Sequence, residues 1–190
     1  MDGMRTFNAA DPALEGRSGS DVRDVIGRAY GRMLLEAAAG PAGEGWVHYM
    51  YPEPGDIFPA WKSVFVKRVA FPSGKQHLVA AGVYNMQMDK AFIQDVVDRA
   101  AALIAIQGKD AFPRLRDRTG PFVFMDTYVF VDTPDGTEVV NAAQPSFEGT
   151  NLKGLKDLKG LALADEYISA ALRDGSAWVE YWWYRPGTNT

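Results

Sequence analysis

Tyr49, Tyr128 and Tyr181, with Trp46 and Trp178, are the residues here best suited to gripping a small polar molecule, because each joins a flat apolar body to a hydrogen-bonding tip. Lys62 and Lys67 offer positive charge, and Asn141 both donates and accepts. Asp126 alternates with Phe124 and Tyr128, so it is a candidate buried carboxylate that needs a partner such as Arg114 or Arg116. A free Asp126 would favour an amine over an acid. The same aromatic residues serve equally as core packing with satisfied tips, and the lysines as a solvated face. Covalent and metal chemistry are poorly supplied. The chain has no cysteine and only two histidines, His48 on a strand pattern and His77 after a turn, where exposure is expected. No Gly-x-Ser-x-Gly, phosphate-loop or His-Glu-x-x-His pattern occurs. No catalytic residue, metal or cofactor is therefore expected, and no enzyme.

With 20 basic against 24 acidic groups and a net charge of −4, the sequence lacks the basic footprint that nucleic acid requires. Its 47% hydrophobic and 12% aromatic content excludes a disordered or collagen-like chain. The longest near-apolar run, 100–106, is far short of the roughly 20 residues that cross a bilayer, and the first residues do not read as a secretion signal. Any export signal or anchor is expected in sequence beyond this chain.

The sequence repeats itself. Asn8-Ala9-Ala10-Asp11-Pro12 returns 133 positions on as Asn141-Ala142-Ala143-Gln144-Pro145, and Glu15-Gly16 as Glu148-Gly149. Asp2-Gly3 faces Asp135-Gly136, Asp24 faces Asp157 and Gly27 faces Gly160 in the same register. A one-residue slip then sets Trp46-Val47-His48-Tyr49 against Trp178-Val179-Glu180-Tyr181, and Pro54-Gly55 against Pro186-Gly187. The unit is about 130 residues, so two partial copies are expected: the later part of one over 1–84 and the beginning of the next over 85–190. The chain is then either a piece of a longer protein or one that completes its missing strands by pairing the halves or swapping between chains.

Periodicity predicts the elements that position these residues. Apolar residues at Val22, Val25, Ile26, Ala29 and Met33 predict an amphipathic helix over 21–38, and Asp89 caps a longer helix over 89–107 that Gly108 stops. Its buried side is read as Ile93, Val96, Val97, Ala100, Leu103 and Ile104. Aromatic and β-branched runs at 46–51, 63–71 and 77–84, divided by Pro/Gly turns, predict three antiparallel strands. A short helix around 111–117 precedes one central strand over 122–131, apolar on both faces. A tight turn at Pro134-Asp135-Gly136 leads to a strand ending near Asn141. A helix ending at Gly175 and a strand over 178–184 follow. The repeated Asn, Pro and Glu-Gly positions read as loop architecture.

This order, with Gly108-Lys109-Asp110-Ala111-Phe112, Asp126-Thr127-Tyr128-Val129-Phe130-Val131, Asn141 to Leu152, Gly45-Trp46-Val47-His48-Tyr49 and Ala81-Gly82-Val83-Tyr84, resembles the Cache family of extracytoplasmic sensor domains, in its single-Cache branch. The resemblance implies an α+β fold, with a long N-terminal helix packed on a PAS-like antiparallel sheet. It also implies a non-catalytic module for signal transduction or chemotaxis, periplasmic, whose ligands include short organic acids. Tyr49 and Tyr181 fall on strands that line the cavity in that family, with Tyr128 on the central strand. The expected partners are a small-molecule ligand, a homodimer mate and a signalling output domain outside this chain. A structural module whose incomplete repeats complete each other between chains is the alternative.

Overall fold

The computed structural model describes residues 3–184. Asp2 and the Pro186-Gly187 echo lie outside the described residues.

Three strands form an antiparallel meander, β1 (Glu44–Pro52), β2 (Pro59–Ala70) and β3 (Gln76–Tyr84), in the order β1-β2-β3. The pairing runs from Glu44↔Lys67 to Pro52↔Pro59 between the first two, and from Lys62↔Tyr84 to Ala70↔Gln76 between the last two. Because strand side chains alternate, each face of this sheet meets a different partner. Val47, Tyr49, Val64 and Val66 pack with Tyr30, Met33, Ala37 and Ala38 of helix α1 (Tyr30–Ala39). On the other face Trp46 and Trp61 pack against a second core of Phe92, Val96 and Ala100 with Leu115, Phe122, Phe124, Val129 and Val140. The first three of these belong to α2 (Lys90–Gln107), which Asp89 caps by accepting the Ala91 N–H at 2.7 Å.

Helix α1 starts nine residues later than its apolar spacing predicts. Residues 21–29 form a loop because Asp24 collects backbone donors that a helix would use internally: its Oδ1 accepts from Ile26 and Arg28, and its Oδ2 from Met50. Gly27, at φ +88°, reverses the chain there, and Val25 and Ile26 end up exposed. On α2, Phe92 is buried and Val97 exposed, a rotation of the expected face by about one residue.

The segment 122–131 is also broken. It forms a tight hairpin of β4 (Val123–Phe124) and β5 (Thr127–Tyr128), turning at Met125 with φ +51°, before β6 (Phe130–Asp132) pairs with β7 (Glu138–Asn141). Helix α3 (Phe112–Arg116) precedes them and α4 (Leu163–Asp174) follows. Residues 177–184 run on without strand pairing, whereas their counterpart β1 pairs with β2 along its length. The class is α+β with antiparallel sheets, as expected, but the strands fall into three separate sheets.

The sequence repeat is matched by a repeat of hydrogen bonds. Asn8 Oδ1 accepts from Ala10 and Asp11 while its own N–H donates to Glu15, and Asn141, Ala143, Gln144 and Glu148 repeat this bond for bond. Asp157 accepts from Lys159, Leu161 and Trp182, as Asp24 does from Ile26, Arg28 and Met50. Helices α1 and α4 begin 133 positions apart. Where the two segments differ, the difference joins them. Arg28 stands where Leu161 does, and its buried guanidinium donates to Val123 O at 2.6 Å and Gly120 O at 2.7 Å. Burial lowers its pKa, with Asp24 and Asp117 opposing that shift.

Candidate functional site

A small cavity of about 40 Å³ opens between β5, β6, β7, α4 and the 177–184 segment. Its polar groups are Tyr128, Asn141, Gln144, Tyr167 and Tyr181, and its walls are largely aromatic and aliphatic. Each element is held in place by features already described. The 135–136 turn returns the chain so that β7 lies beside β6 and carries Asn141 to the cavity, and the Asp157 bond to Trp182 N anchors Tyr181 and Trp183 across from it.

Two carboxylates stand directly behind this wall. Glu138 is 2% exposed, and its Oε1 accepts from Asn141 Nδ2 at 2.7 Å while its Oε2 has no hydrogen-bond partner. Burial pushes its carboxyl up to about 7, the Asn141 bond pulls it down, and the nearby Asp132 and Glu148 add to the rise. Asp132 accepts the Tyr167 hydroxyl on Oδ2 and leaves Oδ1 buried and unpartnered, and burial raises its pKa while that hydroxyl lowers it. Tyr128 is held up to about 12 by burial, with Tyr181 and Glu138 nearby and Asn141 opposing. Burial and Asp132 also raise Tyr167. Among the described residues no lysine or arginine lines the cavity.

Of the residues singled out in the sequence, the cavity gathers Tyr128, Asn141 and Tyr181. The others lie elsewhere. Tyr49 is in the core, stacked on Tyr30 at 4.3 Å between ring centres. Trp46 packs edge-on against Phe92 at 4.7 Å, and Trp178 is half exposed beneath Lys90. Lys62 donates to Tyr84 Oη at 3.0 Å and covers the Tyr51 and Tyr84 rings, and exposed Lys67 pairs with Glu44 at 2.6 Å. Asp126 is not a buried charge. It sits exposed at the β4–β5 turn, and Arg114 and Arg116 pair with Glu36 and Glu148 instead. His77, expected to be exposed, is half-buried and stacked on Phe71 at 3.8 Å. His48 is buried, bonded to Ser63 Oγ at 2.9 Å and stacked on Phe124 at 4.0 Å. Burial, with Arg99 and Arg28 nearby, lowers it to about 3, so it is neutral at physiological pH.

Glu138, Asp132 and Tyr167 were not singled out. For Glu138 the signal was present: it shares the inward face of β7 with Val140 at strand spacing. It also occupies the position of Arg5 in the earlier segment, a reversal of charge within an otherwise similar stretch.

The counterpart of this cavity is an open groove of about 800 Å³ in the first segment. Gly19, Tyr30, Gly31 and Leu34 line it, each 133 positions before the cavity residues Leu152, Leu163, Ala164 and Tyr167. Arg5 and Lys75 supply it with positive charge. A Cβ on Gly31 would stand 1.7 Å from the Gly19 carbonyl oxygen, so helix α1 crosses residues 19–20 at backbone contact there.

Fold and site together define an α+β domain with antiparallel sheets and a small, largely apolar cavity edged by a few hydrogen-bonding groups. Residues 108–190 match the family model described as a Cache domain, and this segment belongs to the Cache domain family. Three solved structures are similar over part of the chain. One is the periplasmic sensor domain of a chemotaxis protein, 26% identical, with a TM-score of 0.38, over 44% of this chain and 55% of that one. Another is a Cache chemosensory domain described for carboxylic acid recognition, 26% identical, with a TM-score of 0.36, over 42% and 52%. The third is a methyl-accepting chemotaxis protein from Vibrio parahaemolyticus, 24% identical, with a TM-score of 0.35, over 44% and 53%. The chain spans about half the length of each. No curated protein matches it. Among the described residues no helix is long and apolar enough to cross a membrane.

Proposed function

We propose that the chain is a non-catalytic, small-molecule sensing module that works outside the cytoplasm and feeds a signalling or chemotactic output domain beyond this sequence. The observation that carries this reading is the cavity of Tyr128, Asn141, Tyr167 and Tyr181, which lies inside the segment that the Cache family model covers. Its polar groups hydrogen-bond a ligand while the aromatic wall excludes water and strengthens those contacts. The matching sets of hydrogen bonds that Asn8 and Asn141 each make in their own segments, and likewise Asp24 and Asp157, support dividing the chain into two partial repeats, 1–84 and 85–190. A short organic acid, the ligand class that the family resemblance implies, finds its counter-charge in the groove at Arg5 and Lys75.

A thermal-shift screen of the whole chain against short carboxylates, amino acids and amines tests this reading. A compound at a hundred times its dissociation constant stabilises the fold by about 2.7 kcal/mol, and that shift shrinks in Tyr181→Leu for a cavity ligand or in Arg5→Ala for a groove ligand. A cooperative melt that no compound moves would overturn it.

Exposed Val79 and Val83 on β3, one of the two edge strands of the meander, favour a second reading, in which chains pair along that edge as homodimers or longer assemblies. A species that stays monomeric at high concentration sinks that alternative.

A further inference from the structure

The cavity and the groove share positions 133 residues apart, yet Arg5 lines the groove whereas its counterpart Glu138 is a buried carboxyl behind the cavity wall. Arg5 and Glu138 are in equivalent backbone positions: each donates its N–H across its loop, to Arg17 O and Thr150 O, and each accepts on its carbonyl from Gly16 and Gly149. In the first segment the side chain is a guanidinium that packs over Gly19, where an added Cβ would stand 3.1 Å from Arg5 Nε. In the second it is a carboxylate buried behind Asn141.

Resting on the sensing reading above, we propose that the cavity takes the charged head of an alkylammonium compound, while anions are left to the groove. Three observations converge on a cation. Six rings, Tyr128, Phe130, Phe147, Tyr167, Tyr181 and Trp183, surround the space, and aromatic faces attract cations. Glu138 Oε2 and Asp132 Oδ1 are buried without partners, and a cation held by the side chains in front of them compensates both. No lysine or arginine among the described residues lines the wall to offset them. A volume of about 40 Å³ admits an ammonium or methylammonium head but not a bulky amine. The alkyl remainder leaves past Tyr181, which is 40% exposed.

An anion entering the same space would stand before the carboxyls of Glu138 and Asp132 behind the wall, with no lysine or arginine among the described lining residues to offset them, so selection is by sign as well as size. The described groups that face Glu138 are Asp132 from β6, Tyr128 from β5, Tyr167 from α4 and Glu148 from the loop after β7, and Arg116 of α3 is already paired with Glu148. Ammonium binding therefore tightens as Glu138 loses its proton.

Calorimetric titration of the whole chain with ethylammonium and with propionate, probes of similar size and opposite charge, tests the proposal at pH 6 and pH 8. Ethylammonium should bind more tightly at pH 8, and Glu138→Gln should weaken it at least tenfold and remove the pH dependence. Asp132→Asn serves as the second variant should the first fail to fold. Ethylammonium binding that ignores both substitutions would overturn the proposal. So would propionate binding that Tyr181→Leu abolishes, which would leave the sensing reading standing with the opposite ligand. Binding of neither probe, in a chain that other small molecules stabilise, would also overturn it, and no response to any compound would remove the sensing reading with it.

Discussion

Glu138 and His48 are buried ionisable groups whose displaced pKa values pull stability in opposite directions with pH. The Glu138 carboxyl, at about 7 in the folded protein against an ordinary 4.5, keeps its proton where the unfolded chain has released it. Stability from this group is therefore full below pH 4.5, falls as pH rises towards 7, and stays low above it, a loss of up to about 3 kcal/mol. His48, at about 3 against 6.5, does the reverse: the unfolded chain takes up a proton that the native imidazole refuses, so stability falls as pH drops below 6.5. Glu138→Gln should raise stability at pH 8 relative to pH 5, as read by denaturant unfolding at each pH. A variant whose pH profile overlays the parent's would show that Glu138 titrates normally. At this scale the structure gathers Tyr128, Tyr181 and Asn141 around one cavity and leaves Tyr49 in the core, where its stacking partner Tyr30 comes from another element and is invisible to strand spacing. Asp126 was misread for a related reason. The alternation that would bury it ends at the turn one residue before it.

Two aspartates, Asp24 and Asp157, each tie a nine-residue-scale loop to a distant backbone N–H, and the elements around them follow from that. Asp24 fixes the start of α1 and the Met50 end of β1, while Asp157 fixes the start of α4 and the segment bearing Tyr181 and Trp183. Because the bonding is the same, Asp24→Ala and Asp157→Ala should both destabilise, and by similar amounts, as hydrogen bonds to a charged group are lost. Only Asp157→Ala should also weaken ligand binding at the cavity. Equal effects of the two on binding would contradict the assignment of the site, and thermal unfolding with and without ligand separates the two quantities. The strands β1 to β3 and helix α2 were legible because runs of one period ended at clear Pro/Gly turns or an Asp cap. The 21–29 loop and the β4–β5 hairpin were not, because side-chain bonds to the backbone and one positive-φ methionine override an apolar pattern that continues through them. The unpaired run at 177–184 is the same effect at the level of pairing, since strand propensity needs a neighbouring strand to be expressed.

As a whole, the molecule joins two similarly bonded segments through a sheet that packs on α1 with one face and on the α2 core with the other. Arg28, reaching from the first segment's loop to Gly120 O and Val123 O, is the buried polar contact of that junction, beside the Arg114–Glu36 ion pair and the bond from Arg99 to Trp46 O. The hairpin leading to Tyr128 touches the sheet directly, since its Phe124 stacks on His48 of β1. The central claim, a small molecule bound in the cavity, is tested most directly by a heteronuclear NMR titration of the whole chain with any compound that stabilises it. The account predicts saturable shifts concentrated on the Tyr128, Asn141, Tyr167 and Tyr181 amides, with smaller ones at His48. Shifts that ignore every small molecule and instead grow with protein concentration along Val79 and Val83 of β3 would contradict it.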